Sequence, residues 1–207
     1  MADAAGKSGT PYAGYDVLRK WTSPSFDATT RAVLERRLMA VPPRRFLAEA
    51  PFRALEAASA RLLATPPGQP PIANWIDADL LANRGEGFRH PGVPRLQEAW
   101  RQGLAGLDAE AQRRFGTALP DLGAAEQDAT LRAVQAGDVA AESFQGTPAR
   151  HFFTHLLLKT VVGYFYSHPD AWNEIGFGGP ASPRGYVRIG LSQRDPWEAP
   201  LAQEPRR

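Results

Sequence analysis

The segment from Pro148 to Tyr166 constrains the fold more than any other part of the chain. It contains no internal proline, and at helical spacing its apolar side chains, including Phe152, Phe153 and Leu157, fall on nearly every side. A helix that is apolar on most of its circumference is normally surrounded by other helices. We therefore expect this segment to form the central helix of a helical bundle.

Proline and glycine divide the rest of the chain into segments of helical length. Ser25 or Asp27 can cap a first helix that ends at Pro42 and Pro43. Pro51 falls inside the second predicted helix, which suggests two shorter helices there. This second helix is predicted from Phe46 to Leu63, and a third from Ile72 to near Gly85. A fourth runs from Leu96 to Phe115, with Asp108 capping a continuation, and a fifth runs from Ala124 to Val134, with a stop at Gly137.

The sequence predicts an all-α fold, because no segment shows the alternating pattern of a strand. We expect a single irregular helical bundle of about six helices with an extended Gly/Pro-rich C-terminal arm. The predicted domain limits are a flexible N-terminal arm over residues 1–24, a helical domain over 25–175 and an irregular arm over 176–207.

The C-terminal arm has an unusual composition. Residues 176–207 contain five glycines and five prolines, yet they also contain Phe177, Tyr186 and Trp197. Disordered tails are usually poor in aromatic residues, and a regular element does not tolerate so much glycine and proline. We therefore expect an irregular segment that packs on an apolar surface. On composition alone, the chain's own helical bundle and another protein are equally good candidates for that apolar surface.

Composition excludes several classes of function. The chain has no cysteine, which rules out disulfides, thiolate metal sites and cysteine nucleophiles. Its 24 basic and 22 acidic residues are nearly balanced, so a nucleic-acid partner is not favoured. No apolar run reaches the roughly 18 residues of a membrane span. Residues 1–20 show no export signal, which favours the cytoplasm, with the periplasm as the alternative for a chain exported with a partner.

Two sets of polar residues are candidates for chemistry. His151 and His155 are four residues apart on one helical face, the spacing of helical metal sites, but the adjacent turns supply no carboxylate. Buried, hydrogen-bonded histidines are the favoured interpretation, and a stand-alone metal-dependent enzyme that uses His151 and His155 is the alternative. Asp77 and Asp79 point to different faces of a helix, so we expect them to be solvated.

Neither the glycine cluster nor the end of the long helix supplies a catalytic group. Residues 176–179, Gly-Phe-Gly-Gly, lack the preceding strand and the spacing of a dinucleotide loop, and they indicate a turn or a close approach of two backbones. His168 is interpreted as a polar helix C-terminus, where a cation interacts favourably with the helix dipole. We predict no catalytic, cofactor-binding or metal-binding residue in this chain. A helical ligand-binding module remains a further alternative.

The densest aromatic content carries a family resemblance. Phe165-Tyr166-Ser167-His168-Pro169, Trp172-Asn173 and residues 175–180, Ile-Gly-Phe-Gly-Gly-Pro, resemble the gluconate 2-dehydrogenase subunit 3 family. Members of that family end in a tyrosine-rich helix, a Ser-x-Pro step and a Gly-Phe-x-Gly-Pro-like turn. Residues 21–27, 103–108 and 131–137 also look like family positions, so the resemblance covers roughly residues 20–190.

The resemblance implies a small, non-catalytic helical subunit. Its partner would be a large FAD-dependent dehydrogenase of the glucose-methanol-choline type, often with a cytochrome c subunit, and the partner would hold the FAD and the catalytic histidines. The absence of cysteines and of a twin-arginine signal departs from the family pattern and fits a cytoplasmic complex that acts on sugars or glycosides. The resemblance also favours a partner surface for the arm, with these predicted interface residues: Tyr166, Trp172, Asn173, Ile175, Phe177, Gly178, Pro180, Tyr186 and Trp197.

Overall fold

A computed structural model describes residues 11–12, 14–85, 87, 89–180, 185 and 197–199. Most of the predicted C-terminal arm, including Tyr186, lies outside these residues. The chain divides into two compact units. The larger unit is residues 41–165, and the smaller unit combines residues 1–40 with residues 166–207.

The all-α prediction is confirmed for the described residues, which contain helices and no strand. The helices are α1 (Ala28–Met39), α2 (Glu49–Leu63), α3 (Ile72–Leu81), α4 (Leu96–Phe115), α5 (Ala124–Ala136), α6 over residues 149–166 and α7 (Pro169–Ile175). Short 3-10 helices occupy Val17–Lys20, Leu119–Asp121 and Ala141–Phe144. No helix of the described chain is long and apolar enough to cross a membrane.

Several helix ends lie where local signals predicted them. The Asp27 carboxylate accepts a hydrogen bond of 2.7 Å from the Thr30 amide and caps α1. Helix α5 ends at Gly137, which has a φ of 75°. The predicted break at Pro51 is wrong, because Pro51 lies in the first turn of α2, where an amide hydrogen would have no acceptor within the helix.

Helix α4 is one uninterrupted helix of 20 residues. The predicted cap at Asp108 is therefore wrong. The Asp108 carboxylate instead accepts a hydrogen bond of 3.0 Å from the Leu119 amide. Asp108 thus connects the middle of α4 to the 3-10 helix Leu119–Asp121.

The centre of the larger unit is α4 rather than α6. Helix α4 packs against α2, α5, α6 and both 3-10 helices of this unit. Helix α6 buries Phe152, Leu157 and Val161. Its opposite face, which includes Thr154, His155 and Lys159, is exposed. The expectation of a surrounded central helix at Pro148–Tyr166 is therefore wrong, although the helix itself is present.

Helix α6 combines two helical geometries. Ala149–His151 and Lys159–Tyr166 are α-helical, and Phe152–Leu158 between them is π-helical. The buried side chains at positions 153, 157, 161 and 165 repeat every four residues, a period longer than the roughly 3.6 residues of an α-turn. Wider π-turns, with hydrogen bonds from i to i+5, compensate for this difference. The π segment thereby keeps the apolar stripe on one side.

The smaller unit has its own apolar core. Val17, Phe26, Leu34 and Trp172 are buried together. Tyr15, Leu18 and Trp21 pack against this cluster. The N-terminal segment from Asp16 onward therefore contributes a 3-10 helix and core residues to the same unit as α7.

Candidate partner-binding site

Trp172 is buried in the smaller unit and contacts other residues of the predicted interface segment. Its side chain is only 4% exposed. The indole N–H donates a hydrogen bond of 2.6 Å to the Tyr166 carbonyl, and the indole meets the Phe177 ring edge-to-face at 5.6 Å. Trp172 is thus a core residue in this structure, and it fixes the positions of its neighbours.

Polar side chains connect this segment to the N-terminal part of the same unit. Asn173 Oδ1 accepts a hydrogen bond of 2.8 Å from the Val17 amide. The Arg37 guanidinium donates a hydrogen bond of 2.8 Å to the Ser167 carbonyl. The segment that contains α7 is therefore attached to distant residues at Ser167, just before the helix, and at Asn173 within it.

Tyr15 connects two of the described segments of the C-terminal arm. Its hydroxyl donates to the Trp197 carbonyl at 2.7 Å, with the Phe177 carbonyl at 3.3 Å as a second acceptor. The Ala199 amide donates a hydrogen bond of 3.1 Å to the Gly176 carbonyl. The segments at 176–178 and 197–199 therefore lie side by side.

The glycines of the arm serve backbone geometry, as predicted. Gly176 ends α7 with a φ of 68°, and a Cβ there would meet the Tyr12 ring at 2.8 Å. A Cβ on Gly178 would lie 3.1 Å from the Trp197 carbonyl oxygen. Larger side chains at these positions would displace the neighbouring backbone or ring.

Three of the predicted interface residues expose large apolar side chains. Tyr166 is 48% exposed, Ile175 is 47% exposed and Phe177 is 37% exposed. Pro180 and Trp197 are half-buried, and Gly178 is buried. The structure thus separates the nine predicted residues into an internal scaffold and an exposed set, with Tyr186 outside the described residues. Their role in binding a partner stays a prediction.

Met39 is an exposed apolar residue that the sequence analysis did not select. It is the last residue of α1 and is 80% exposed. The sequence contained a signal for this exposure. Met39 lies at a helix end before Pro42 and Pro43, and the helical period turns it away from the buried Leu34.

His168 has a different role from the predicted one. It precedes α7, and its Nδ1 accepts a hydrogen bond of 3.3 Å from the Asp170 amide, so it caps a helix N-terminus. Burial lowers the pKa of His168, with Asp170 opposing this shift and Arg37 adding to it. The interpretation as a cation at a helix C-terminus is therefore wrong.

His151 and His155 lie beside a third histidine in the larger unit. The ring centres of His151 and His155 are 4.7 Å apart, and His90 lies 4.7 Å from His151 and 5.3 Å from His155. Burial lowers the pKa of His151, and the charges of His155 and His90 lower it further. His155 is exposed, so the expectation of two buried histidines is wrong for it. No group of three or more His, Cys, Asp or Glu side chains in the described residues is arranged to hold a metal ion.

Asp77 is fully buried, which corrects the expectation that it is solvated. Its carboxylate accepts hydrogen bonds from the amides of Arg45, Phe46 and Leu47, at distances from 2.7 to 3.1 Å. Asp79 is bonded instead to Arg84 and Tyr164. The two carboxylates therefore fix local structure and do not form an acid/base pair.

The described residues thus define an all-α protein in which predicted interface residues lie in and around a small apolar core. Residues 49–179, more than half of the chain, match the family model for gluconate 2-dehydrogenase subunit 3. The chain belongs to this family, as its aromatic segment indicated. Searches of curated proteins and of solved structures find no further match. The family is that of a dehydrogenase subunit, so the chain is an accessory subunit of a dehydrogenase complex.

Proposed function

We propose that this chain is the non-catalytic small subunit that binds and stabilises a large FAD-dependent sugar dehydrogenase of the glucose-methanol-choline type. In this proposal FAD is held by the large subunit, and a cytochrome c subunit is a candidate third member. Membership of the gluconate 2-dehydrogenase subunit 3 family supports the dehydrogenase complex. The cytoplasm is the proposed compartment, with the periplasm as the alternative.

One observation supports particular residues as the proposed contact with the large subunit. Ile175 and Phe177 expose large apolar side chains while they are attached to a scaffold that buries Trp172. Full burial of an exposed side chain of this kind contributes about 1.5 to 3 kcal/mol before ordering costs. Less than half of each of these two side chains is still exposed, so burial at an interface would contribute about 1 kcal/mol for each. The hydrogen bonds of Tyr15 and Asn173 hold this segment in place before binding, which reduces those costs.

Co-purification of the two subunits tests the proposal. The tagged full chain is expressed together with a glucose-methanol-choline type flavoprotein encoded beside it. We expect the flavoprotein to co-purify in stoichiometric amount with its FAD. The double substitution Ile175→Ser and Phe177→Ser should reduce the recovered flavoprotein at least about tenfold, because it removes apolar contact area from the interface.

A matched control separates interface loss from general loss of apolar surface. Leu81 in α3 is 47% exposed, the same value as Ile175, and belongs to the other unit. Leu81→Ser should leave the recovery of flavoprotein unchanged. Recovery of the wild-type chain alone as a monomer would contradict the subunit proposal, and equal recovery with both variants would contradict the proposed surface.

A further inference from the structure

A cavity in the larger unit has no role in the proposed subunit function. It lies between α2, the segment that follows α2, the 3-10 helix Leu119–Asp121 and α5. Its volume is about 320 Å³. This value lies at the lower end of the range for small-molecule sites. The polar residues of its wall are Arg53, Glu56, Arg61, Thr65 and Gln127.

Glu56 is the unpaired charge of this cavity. Arg53 forms an ion pair with Asp121 at 2.5 Å, and Arg61 binds both oxygens of Asp128 at 2.7 and 2.9 Å. In the part of the chain that the structure describes, the Glu56 carboxylate has neither an ion pair nor a hydrogen bond. Burial raises its pKa, Glu49 adds to the shift and Arg53 opposes it. The donors available to this half-buried carboxylate are therefore water or a ligand in the cavity.

A small recess adjoins the cavity and contains a second unsatisfied group. The recess has a volume of about 10 Å³ and shares Glu56, Ala60 and Thr65 with the cavity wall. Ser59, which is only 6% exposed, lines this recess, and its hydroxyl has no hydrogen-bond partner in the described structure. The recess is about large enough for one water molecule or one ligand hydroxyl group. The Glu56 carboxylate and the Ser59 hydroxyl are therefore two polar groups at one place that are open to a partner from outside the protein.

We propose that this cavity binds a small neutral polyhydroxylated compound of about the size of a monosaccharide. Glu56 would repel an anionic ligand, and because Arg53 and Arg61 are already paired with Asp121 and Asp128, the site offers mainly a carboxylate and a hydroxyl to the donors of a ligand. A neutral polyol supplies such donors without bringing a further charge out of water. A hydroxyl group both donates and accepts, so it can bond to the carboxylate, the guanidinium groups and the Ser59 hydroxyl. This inference does not depend on the proposed partner.

Amide spectra of the ¹⁵N-labelled full chain provide the test. The chain is titrated with D-glucose, and in parallel with D-gluconate and protonated D-glucosamine, which add one negative or one positive charge to a similar skeleton. We expect saturable shifts at residues 53–67 and around Gln127 with glucose, and weaker binding of both charged analogues. D-sorbitol and myo-inositol test whether another neutral polyol fits better.

Glu56→Gln keeps the shape of the side chain and removes its charge. It should weaken glucose binding about tenfold to a hundredfold, because hydrogen bonds to charged groups are stronger than neutral ones. Glu98→Gln on α4 is the control, since Glu98 is exposed and does not line the cavity. Unchanged unfolding temperatures would show that both variants are folded.

Several results would overturn the inference. One is the absence of saturable shifts with all three neutral polyols, and another is shifts that map away from α2 and α5. Tighter binding of gluconate or glucosamine than of glucose would also contradict it. So would a Glu56→Gln variant that binds glucose as tightly as the wild-type chain does.

Discussion

The ring of Phe152 occupies the space where a side chain on Gly103 would stand. A Cβ on Gly103 would overlap Cδ2, Cε2 and Cγ of that ring. Trp100, one turn before Gly103, meets the same ring edge-to-face at 5.7 Å. The absence of a side chain at position 103 therefore allows α4 and α6 to pack closely within the larger unit.

Gly103→Ala should destabilise the chain by about 2 kcal/mol, because a methyl group would overpack the contact with Phe152. Gly163→Ala in α6 is the matched control, since a Cβ at Gly163 would have nothing within 4 Å. That substitution should stabilise the helix by about 0.5 to 1 kcal/mol. Urea unfolding measures both free energies. Equal stability of the two variants would show that the packing at Gly103 is looser than described.

Asp77→Ala should lower the free energy of unfolding by about 3 kcal/mol, because it leaves the amides of residues 45–47, including the buried Leu47 amide, without their acceptor. Asp121→Ala removes a carboxylate from an exposed pair with Arg53 and should cost less than about 1 kcal/mol. Thermal or urea unfolding compares the two variants. A small effect at Asp77 would mean that water replaces its carboxylate.

The lowered pKa of His151 predicts a dependence of stability on pH. The unfolded chain binds this proton more readily than the folded chain, so the contribution is complete above about pH 6.5 and is lost as the pH falls through the lowered folded pKa. His151→Gln should therefore reduce the loss of stability over that interval. The measurement is urea unfolding at a series of pH values, and an unchanged slope would contradict the prediction.

NMR titration of the imidazole protons tests the cause of this shift. His155→Gln removes one of the two neighbouring charges and should raise the pKa of His151. No change in the His151 titration would leave burial and the charge of His90 as the causes of the lowered pKa.

Tyr15→Phe should loosen the segment at residues 197–199, because it removes the hydroxyl that bonds to the Trp197 carbonyl. The loss is about 1 kcal/mol, the usual net value of one hydrogen bond. Hydrogen exchange of residues 176–178 and 197–199 measures the effect, which should appear as faster exchange. Unchanged exchange at these residues would contradict a specific role for the Tyr15 hydroxyl.

Signals that act within a few residues were readable from the sequence. Asp27 caps α1 through an amide three residues away, and Gly137 ends α5 at its own position. The sequence also predicted the turn glycines at 176 and 178, because the glycine and proline content of the C-terminal arm excluded a regular element. These features depend on local backbone geometry, which the residue type largely determines.

Features that depend on distant partners were not readable. The burial of Asp77 follows from amides about thirty residues earlier in the chain, and His90 joins His151 and His155 from a loop. Helical spacing placed Asp77 on one face of α3, but it does not show what that face contacts. For the same reason, the sequence did not distinguish the internal Trp172 from the exposed Phe177 in the predicted interface.

The pairing of residues 176–178 with 197–199 has a practical consequence for protein engineering. Tyr15 and the Ala199 amide hold these two segments beside each other in the smaller unit. A chain truncated before residue 197 would lose the donor to the Gly176 carbonyl and one of the two acceptors of the Tyr15 hydroxyl, so a shortened version of the subunit should keep the residues up to 199.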